Sequence, residues 1–364
     1  MDGKHIDLAD TNLCNFGSEL ELKIKKVAAE QEDEWKKTGK SVGLLIWRIE
    51  KFKVVEWPRE DYGSFFDGDS YIVLHTYQKN NEGPLKFRIH MWVGLNTTKD
   101  ESGTAAYKTV ELDDYLGRAA VLFRETQSNE SDLFLSYFPK IHILQGGVES
   151  GFRRAKSEIH QNRLYRIMFK NKTTRVIQVK LETASLNTYD AFVLDAGQVI
   201  YKWLGKKASS FEKFRAGEVS RSLDDSRKSK PKVIELEEGN DDNVEFWNLL
   251  GGKGEISCEQ RVVEAAIKVD KQLLKLSDSS GKAVVDTIAK EGEVKKELLK
   301  SEDIFFLLSG SQISIWIGEK ASQIEKHHAI PLAVQFLVDS GLPVNCLVTC
   351  YREGHENSYF WTLF

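Results

Sequence analysis

Short apolar runs closed by glycine, proline or asparagine recur along the chain and read as strands at residues 44–49, 70–77 and 86–93. After Gly94 the spacing changes to three and four. Ala105, Ala106, Tyr107, Val110, Leu112, Tyr115 and Leu116 predict a long helix that stops near Gly117, and residues 130–138 predict a second helix ended by Pro139. The same order then returns. A hairpin over 163–169 and 175–181 and a strand pair over 191–194 and 199–203 precede a helix over 209–223, with Phe211, Phe214, Val219 and Leu223 expected inside. An edge strand at 233–236 and a short helix at 244–250 follow. On the third pass residues 258–276 look helical throughout, whereas the parallel with the earlier passes puts a strand at 272–276. Strands are expected at 283–288, 304–308, 313–317 and 346–351, a short helix at 294–299, and a long helix over 322–338 bent or split at Pro331; residues 360–364 form an apolar tail. Ahead of all this, Leu20, Ile24, Val27, Ala28 and Trp35 lie at near-helical intervals. They suggest an amphipathic helix that either covers the first domain or meets a partner.

The repetition extends to individual side chains. Asp69, Asp190 and Asp303 each open an apolar strand, and a Trp-x-Gly follows at Trp92, Trp203 and Trp316. A glutamate stands nine residues after each tryptophan, at Glu101, Glu212 and Glu325. The period, near 110 residues, is too long for a solenoid and matches one small domain used three times. The expected fold class is α+β, each repeat a central mixed β-sheet flanked by one long and one or more short helices. The expected bounds are a leader over 1–40 and repeats over 41–150, 151–256 and 257–364.

Composition narrows the function. With 41% apolar residues each repeat can bury a core, and 51 Lys and Arg against 55 Asp and Glu give no reason to expect a nucleic-acid binder. No apolar run reaches bilayer length and no signal-peptide pattern opens the chain, so an integral membrane protein is not expected and the cytoplasm is. Cys14, Cys258, Cys346 and Cys350 form no zinc-type spacing and read as reduced thiols. No His-carboxylate ligand set, nucleophile elbow or phosphate loop is present, and nothing argues for an enzyme.

The recurring acids carry the chemistry. An aspartate at a strand start and a glutamate early in the next helix can meet at one end of a sheet. With backbone carbonyls they offer the hard oxygens that Ca2+ takes. Magnesium is less suited, since nothing points to a bound phosphate. The competing reading is that the glutamates favour helix N-termini through the dipole; three pairs in register favour the ion. Asp113 stands apart, on the long helix after Tyr107 and Val110. That stripe is either core or an apolar edge for a partner's cleft, and periodicity leaves both open.

Residues 43–52, 62–74, 100–106, 112–116 and 146–152 resemble the first repeat of the gelsolin/villin family, and the likeness covers the chain after residue 40. With three repeats it is most similar to the severin/fragmin group and invertebrate gelsolin-like proteins. The resemblance implies a calcium-activated protein of the actin cytoskeleton that severs filaments, caps barbed ends and promotes nucleation, monomeric when alone. Capping without severing is the alternative. It implies that repeat two binds the filament side through Arg166, Lys172, Lys213 and Arg215. It further implies that Tyr107 and Val110 enter the actin cleft and that Asp113, with carbonyls near Arg118 and Ala120, shares a calcium ion with actin. Each repeat's own ion falls to Asp69 and Glu101 with oxygens of Gly68 and Val148, to Asp190 and Glu212 with Tyr189, and to Asp303 and Glu325 with Glu302. Polyphosphoinositide binding is implied for Lys140, Arg153, Arg154, Lys156 and Arg163, part of which could instead meet actin or water.

Overall fold

Alternating side chains let a strand bury one face while its backbone pairs sideways, and this chain uses that solution repeatedly. The computed structural model describes residues 32–79, 82–148, 161–170, 172–225, 231–258, 269–277, 284–310, 312–322, 329, 333, 336 and 346–364. In chain order the strands begin with β1 (Gly43–Glu50), β2 (Lys53–Glu56), β3 (Ser64–Phe66), β4 (Ser70–Lys79), β5 (Glu82–Val93), β6 (Ala120–Thr126) and β7 (Lys140–Leu144). They continue with β8 (Arg163–Lys170), β9 (Thr173–Val179), β10 (Ala191–Asp195), β11 (Val199–Leu204) and β12 (Lys232–Glu237). Last come β13 (Val269–Ser277), β14 (Val284–Lys290), β15 (Ile304–Gly310), β16 (Gln312–Ile317) and β17 (Leu347–Arg352). The α-helices are α1 (Lys99–Tyr115), α2 (Asp132–Leu135), α3 (Ser210–Asp225), α4 (Val244–Leu249) and α5 (Ser358–Trp361).

Two compact units result. One, from Met1–Pro58, Asp69–Ser131 and Glu264–Phe364, carries a ten-stranded sheet in the order β14-β13-β15-β16-β17-β6-β5-β4-β1-β2. The sheet is mixed: β5–β6 and β16–β17 run parallel, while β4–β5 and β15–β16 are antiparallel. Strand β17 pairs antiparallel with β6 through Val348↔Arg124, Thr349↔Phe123 and Cys350↔Leu122, which joins strands of the first and third sequence repeats. The core is correspondingly continuous, running from Trp35, Ile72 and Leu112 to Phe306, Ile315 and Cys350. The other unit, from Arg59–Gly68 and Asp132–Val263, holds a seven-stranded sheet in the order β12-β11-β10-β8-β9-β7-β3. Phe192, Trp203 and Phe246 pack in one core cluster of this unit, Ile167, Val193 and Val219 in another.

Local chemistry sets the ends of α1. The Thr98 hydroxyl accepts from the Glu101 amide at 3.2 Å, and Asp100 and Glu101 place charge at the positive end of the dipole. The helix stops where Gly117 takes φ +72°, a left-handed conformation that costs glycine little.

Several expectations need correction. The helix predicted over 130–138 is one turn, α2. The helix at 294–299 is replaced by two 3-10 turns, Glu291–Glu293 and Lys296–Leu298. Of the two readings of residues 258–276, the strand expected at 272–276 is the one that forms: β13 pairs with both β14 and β15, which overrides the helical spacing, and residues 259–268 lie outside the described set. On α3, Phe211 and Phe214 are 65% and 58% exposed, while Val219 is buried as expected. Phe211 instead stacks on Phe169 with ring centroids 5.2 Å apart. Of the leader, residues 1–31 lie outside the described set. Trp35 sits in a 3-10 helix, Asp33–Lys37, fully buried, and donates its indole N–H to Glu111 of α1 at 2.8 Å. Pro331 and most of the predicted helix over 322–338 are outside the described set; of the described residues within that span, Ala329, Ala333 and Phe336 are helical.

Candidate functional site

The three repeats build the same corner. The carbonyl of the recurring aspartate accepts the amide of the Trp-x-Gly glycine in each: Gly94 to Asp69 at 3.0 Å, Gly205 to Asp190 at 3.1 Å and Gly318 to Asp303 at 3.1 Å. Each tryptophan is buried and donates its indole N–H to a carboxylate further on: Trp92 to Glu130 at 3.2 Å, Trp203 to Asp241 at 3.0 Å and Trp316 to Glu356 at 2.6 Å. The residue after each glycine gives its amide to Gln127, Glu238 or Glu353 in turn, at 3.0, 2.7 and 2.7 Å. The motif is thus a strand-end clasp that fixes where the aspartate stands.

Each aspartate meets a cation from the neighbouring strand. Arg48 reaches Asp69 at 2.7 Å, Arg166 reaches Asp190 at 2.6 Å and Lys275 reaches Asp303 at 2.8 Å. The geometry is common to all three. The cation lies opposite the residue two after the aspartate, as the pairs Arg48↔Tyr71, Arg166↔Phe192 and Lys275↔Phe305 record, so each is a diagonal cross-strand pair. Arg166, expected to meet actin, is therefore engaged with Asp190.

Glu101 and Glu212 hold helix starts. Ser209 and Glu212 make a reciprocal capping box, amide to carboxylate at 3.0 Å and amide to hydroxyl at 3.2 Å. At Thr98 the Glu101 amide makes the corresponding bond to the cap hydroxyl; the spacing Thr98-x-x-Glu101 and Ser209-x-x-Glu212 was the sequence signal for it, and Ser322-x-x-Glu325 repeats that spacing in the sequence. Glu101 also approaches the start of β4. The Ser70 hydroxyl lies 3.1 Å from that of Thr97, which lies 3.4 Å from a Glu101 oxygen. Hence Asp69 and Glu101 are brought to one sheet end, whereas Glu325 lies outside the described residues. In the other compact unit, the Gly68 amide donates to the Gly146 carbonyl at 2.8 Å, and a Cβ on Gly68 would lie 2.6 Å from that oxygen; Val148 belongs to a turn. The Tyr189 amide donates to Asn187, and Glu302 lies 3.7 Å from Lys320.

No group of three or more His, Cys, Asp or Glu side chains converges among the described residues. The donor chemistry is nevertheless that of a hard cation, carboxylates with backbone carbonyls, which fits calcium.

Asp113 is the most unusual acid. It is fully buried; Oδ1 accepts the Ala120 amide at 3.1 Å and Oδ2 accepts Nη2 and Nε of Arg352 at 2.5 and 3.2 Å. Burial pushes its carboxyl up from the ordinary range, and the Arg352 charge opposes that. Arg118 adopts φ +63°, donates its amide to the Asp113 carbonyl at 2.7 Å and pairs with Asp114 at 2.6 Å. On the same helix Tyr107 is 44% exposed and Val110 half-buried, while Leu112 is core. The stripe therefore has an open part and a buried end.

The basic candidates scatter. Lys140 opens β7, and burial lowers its pKa. Arg163 opens β8, and Lys172 is exposed in the β8–β9 turn at φ +62°. On α3, Lys213 is half-buried. Arg215 pairs with Glu218 at 2.5 Å, its guanidinium 5.3 Å from the Phe169 ring and 5.7 Å from the Phe214 ring. Arg153, Arg154 and Lys156 lie outside the described residues.

The gelsolin repeat pattern matches residues 51–135, 172–244 and 286–361. The chain belongs to the gelsolin-repeat family. Gelsolin-like protein 2 of Lumbricus terrestris is 40% identical over 99% of this chain and 97% of its own length. Severin of Echinococcus granulosus is 36% identical over 93% and 91% respectively. A chain of the solved Thorarchaeota 2DGel3/rabbit actin complex is 28% identical over 56% of this chain and 98% of its own, with a TM-score of 0.25. The three matched stretches each contain one clasp, so the Asp and Trp-x-Gly corner is a property of the gelsolin repeat itself in this chain.

Proposed function

We propose that this gelsolin-repeat protein binds actin in a calcium-dependent manner, severs filaments, caps their barbed ends and promotes nucleation in the cytoplasm. One observation carries the reading: the aspartate and Trp-x-Gly module, with a glutamate nine residues after the tryptophan, stands three times in a chain whose length a severin matches almost throughout. Repeat two supplies side binding through Lys172, Lys213 and Arg215. Repeat one then sets the open part of α1, Tyr107 and Val110, into the actin cleft. No bond is hydrolysed; binding energy separates one subunit from the next.

Asp69 with Glu101, Asp190 with Glu212 and Asp303 with Glu325 are the acids assigned to calcium, and Asp113 with the carbonyls of Arg118 and Ala120 is assigned to an ion shared with actin. Calcium supplies, when bound, a hard cation that lets carboxylates stand close without repulsion. The chain's own part is to hold those oxygens on clasped strand ends and helix starts. Lys140, Arg163 and the basic residues Arg153, Arg154 and Lys156 are assigned to polyphosphoinositide headgroups.

Imaging of single labelled actin filaments tests this. Breaks along the filaments in calcium, with few in chelator, are the expected result. Arrest of growth without breaks selects a barbed-end cap, and no effect on either overturns the actin reading.

A further inference from the structure

The buried end of α1 is closed by a residue from the far end of the sequence. Asp113 and Arg352 are 239 residues apart, yet both nitrogens that Arg352 offers fall on one Asp113 oxygen while the Ala120 amide takes the other. Arg352 is placed there by the sheet. It is the last residue of β17, and the β17–β6 register, carried on from Val348↔Arg124 and Cys350↔Leu122, brings position 352 level with Ala120. The carboxylate and its cation are thus held by the same strand pair that joins the first and third repeats. Arg352 is 15% exposed at its side chain and Asp113 not at all.

We propose that Arg352 is an internal counter-cation that keeps Asp113 from any outside cation until β17 leaves β6. This rests on the assignment of Asp113 to the ion shared with actin. A carboxylate oxygen that accepts two guanidinium hydrogen bonds has no open side for calcium. Ion and arginine therefore exclude one another, and whatever favours the ion at Asp113 must disfavour the β17–β6 pairing by the same free energy. The contact makes the partner-binding helix and the third repeat report on each other. It differs in kind from the pairs at Asp69, Asp190 and Asp303, where cation and aspartate come from strands of one repeat.

The test compares the full chain with Arg352→Gln during a calcium titration, reading two signals: amide exchange of residues 120–126 and 347–352, and binding to actin monomers. The variant is expected to open those amides, and to bind monomers, at a calcium concentration lower by about tenfold, within the range usual for coupled sites. Unchanged midpoints for both signals overturn the proposal. Should the glutamine variant not fold, Arg352→Lys keeps the charge without the fork; a smaller shift in the same direction supports the proposal and none overturns it. If the wild-type chain binds no monomer in saturating calcium, the actin reading fails by itself. The exchange midpoints still decide whether Arg352 and calcium compete.

Discussion

Gly318 shows why the clasp is written with glycine. A Cβ at that position would lie 2.1 Å from the Ser301 carbonyl oxygen, and one at Gly205 would lie 2.5 Å from that of Thr188. Backbone faces backbone there, so no rotamer change can relieve the contact. Gly318→Ala should destabilise its unit by about 1–3 kcal/mol, the usual cost of an overpacked site, and lower the melting temperature measured in chelator. An unchanged melt would mean the loop at Ser301 yields freely. Residues of this type were legible in the sequence, because Asp69, Asp190 and Asp303 each open an apolar run that leads to a Trp-x-Gly, and a glutamate stands nine residues after each of those tryptophans. Their cations were not legible. Arg48, Arg166 and Lys275 precede their aspartates by different intervals and become equivalent only when strand register sets each one diagonal to its acid. Asp113 and Arg352 had no local signal of any kind, since only the β17–β6 pairing brings them together.

Among the elements, α1 and α3 show what periodicity can and cannot decide. Both have apolar residues at three and four, yet one face of each is covered and another is not. Leu112 and Ala105 of α1 are core, while Tyr107 is 44% exposed; on α3, Ala216 and Val219 are core, while Phe211 and Phe214 are not. A stripe wider than the sheet can cover leaves its edge open. That is why the expected interior position of both phenylalanines failed while the helix itself formed. For α1 the open edge is the part assigned to actin. Tyr107→Ala should leave the melting temperature within about 1 °C, as substitutions away from the core usually do. It should weaken monomer binding in calcium about tenfold or more, as loss of an aromatic anchor usually does. Fluorescence anisotropy of labelled actin monomers checks the second figure. A large fall in stability with unchanged binding would return Tyr107 to the core and remove α1 from the interface.

At the scale of the molecule, the ten-stranded sheet is the feature that the repeat boundaries did not disclose. Repeats of the same kind are expected to fold side by side, and nothing in a repeating pattern says that β17 of one will hydrogen-bond to β6 of another. Here that pairing also carries a buried core across the seam, with Leu122, Val348 and Cys350 on it. If calcium activates by separating these strands, then a covalent link across them must block activation. One substitution makes the link available, because Leu122 stands directly opposite Cys350, a free thiol whose pKa burial pushes up to about 12. Directly opposed residues on antiparallel strands are about 4.5–5.5 Å apart at Cα, inside the span a disulfide needs. Oxidised Leu122→Cys is expected to leave filaments intact in calcium. The same protein, reduced, should cut them, at a rate set by whatever stability the smaller side chain has cost. Running both redox forms of one protein removes that cost from the comparison. Equal severing by the oxidised and reduced forms would show that the seam stays closed during function, and the control would then have to lie in contacts other than β17 on β6.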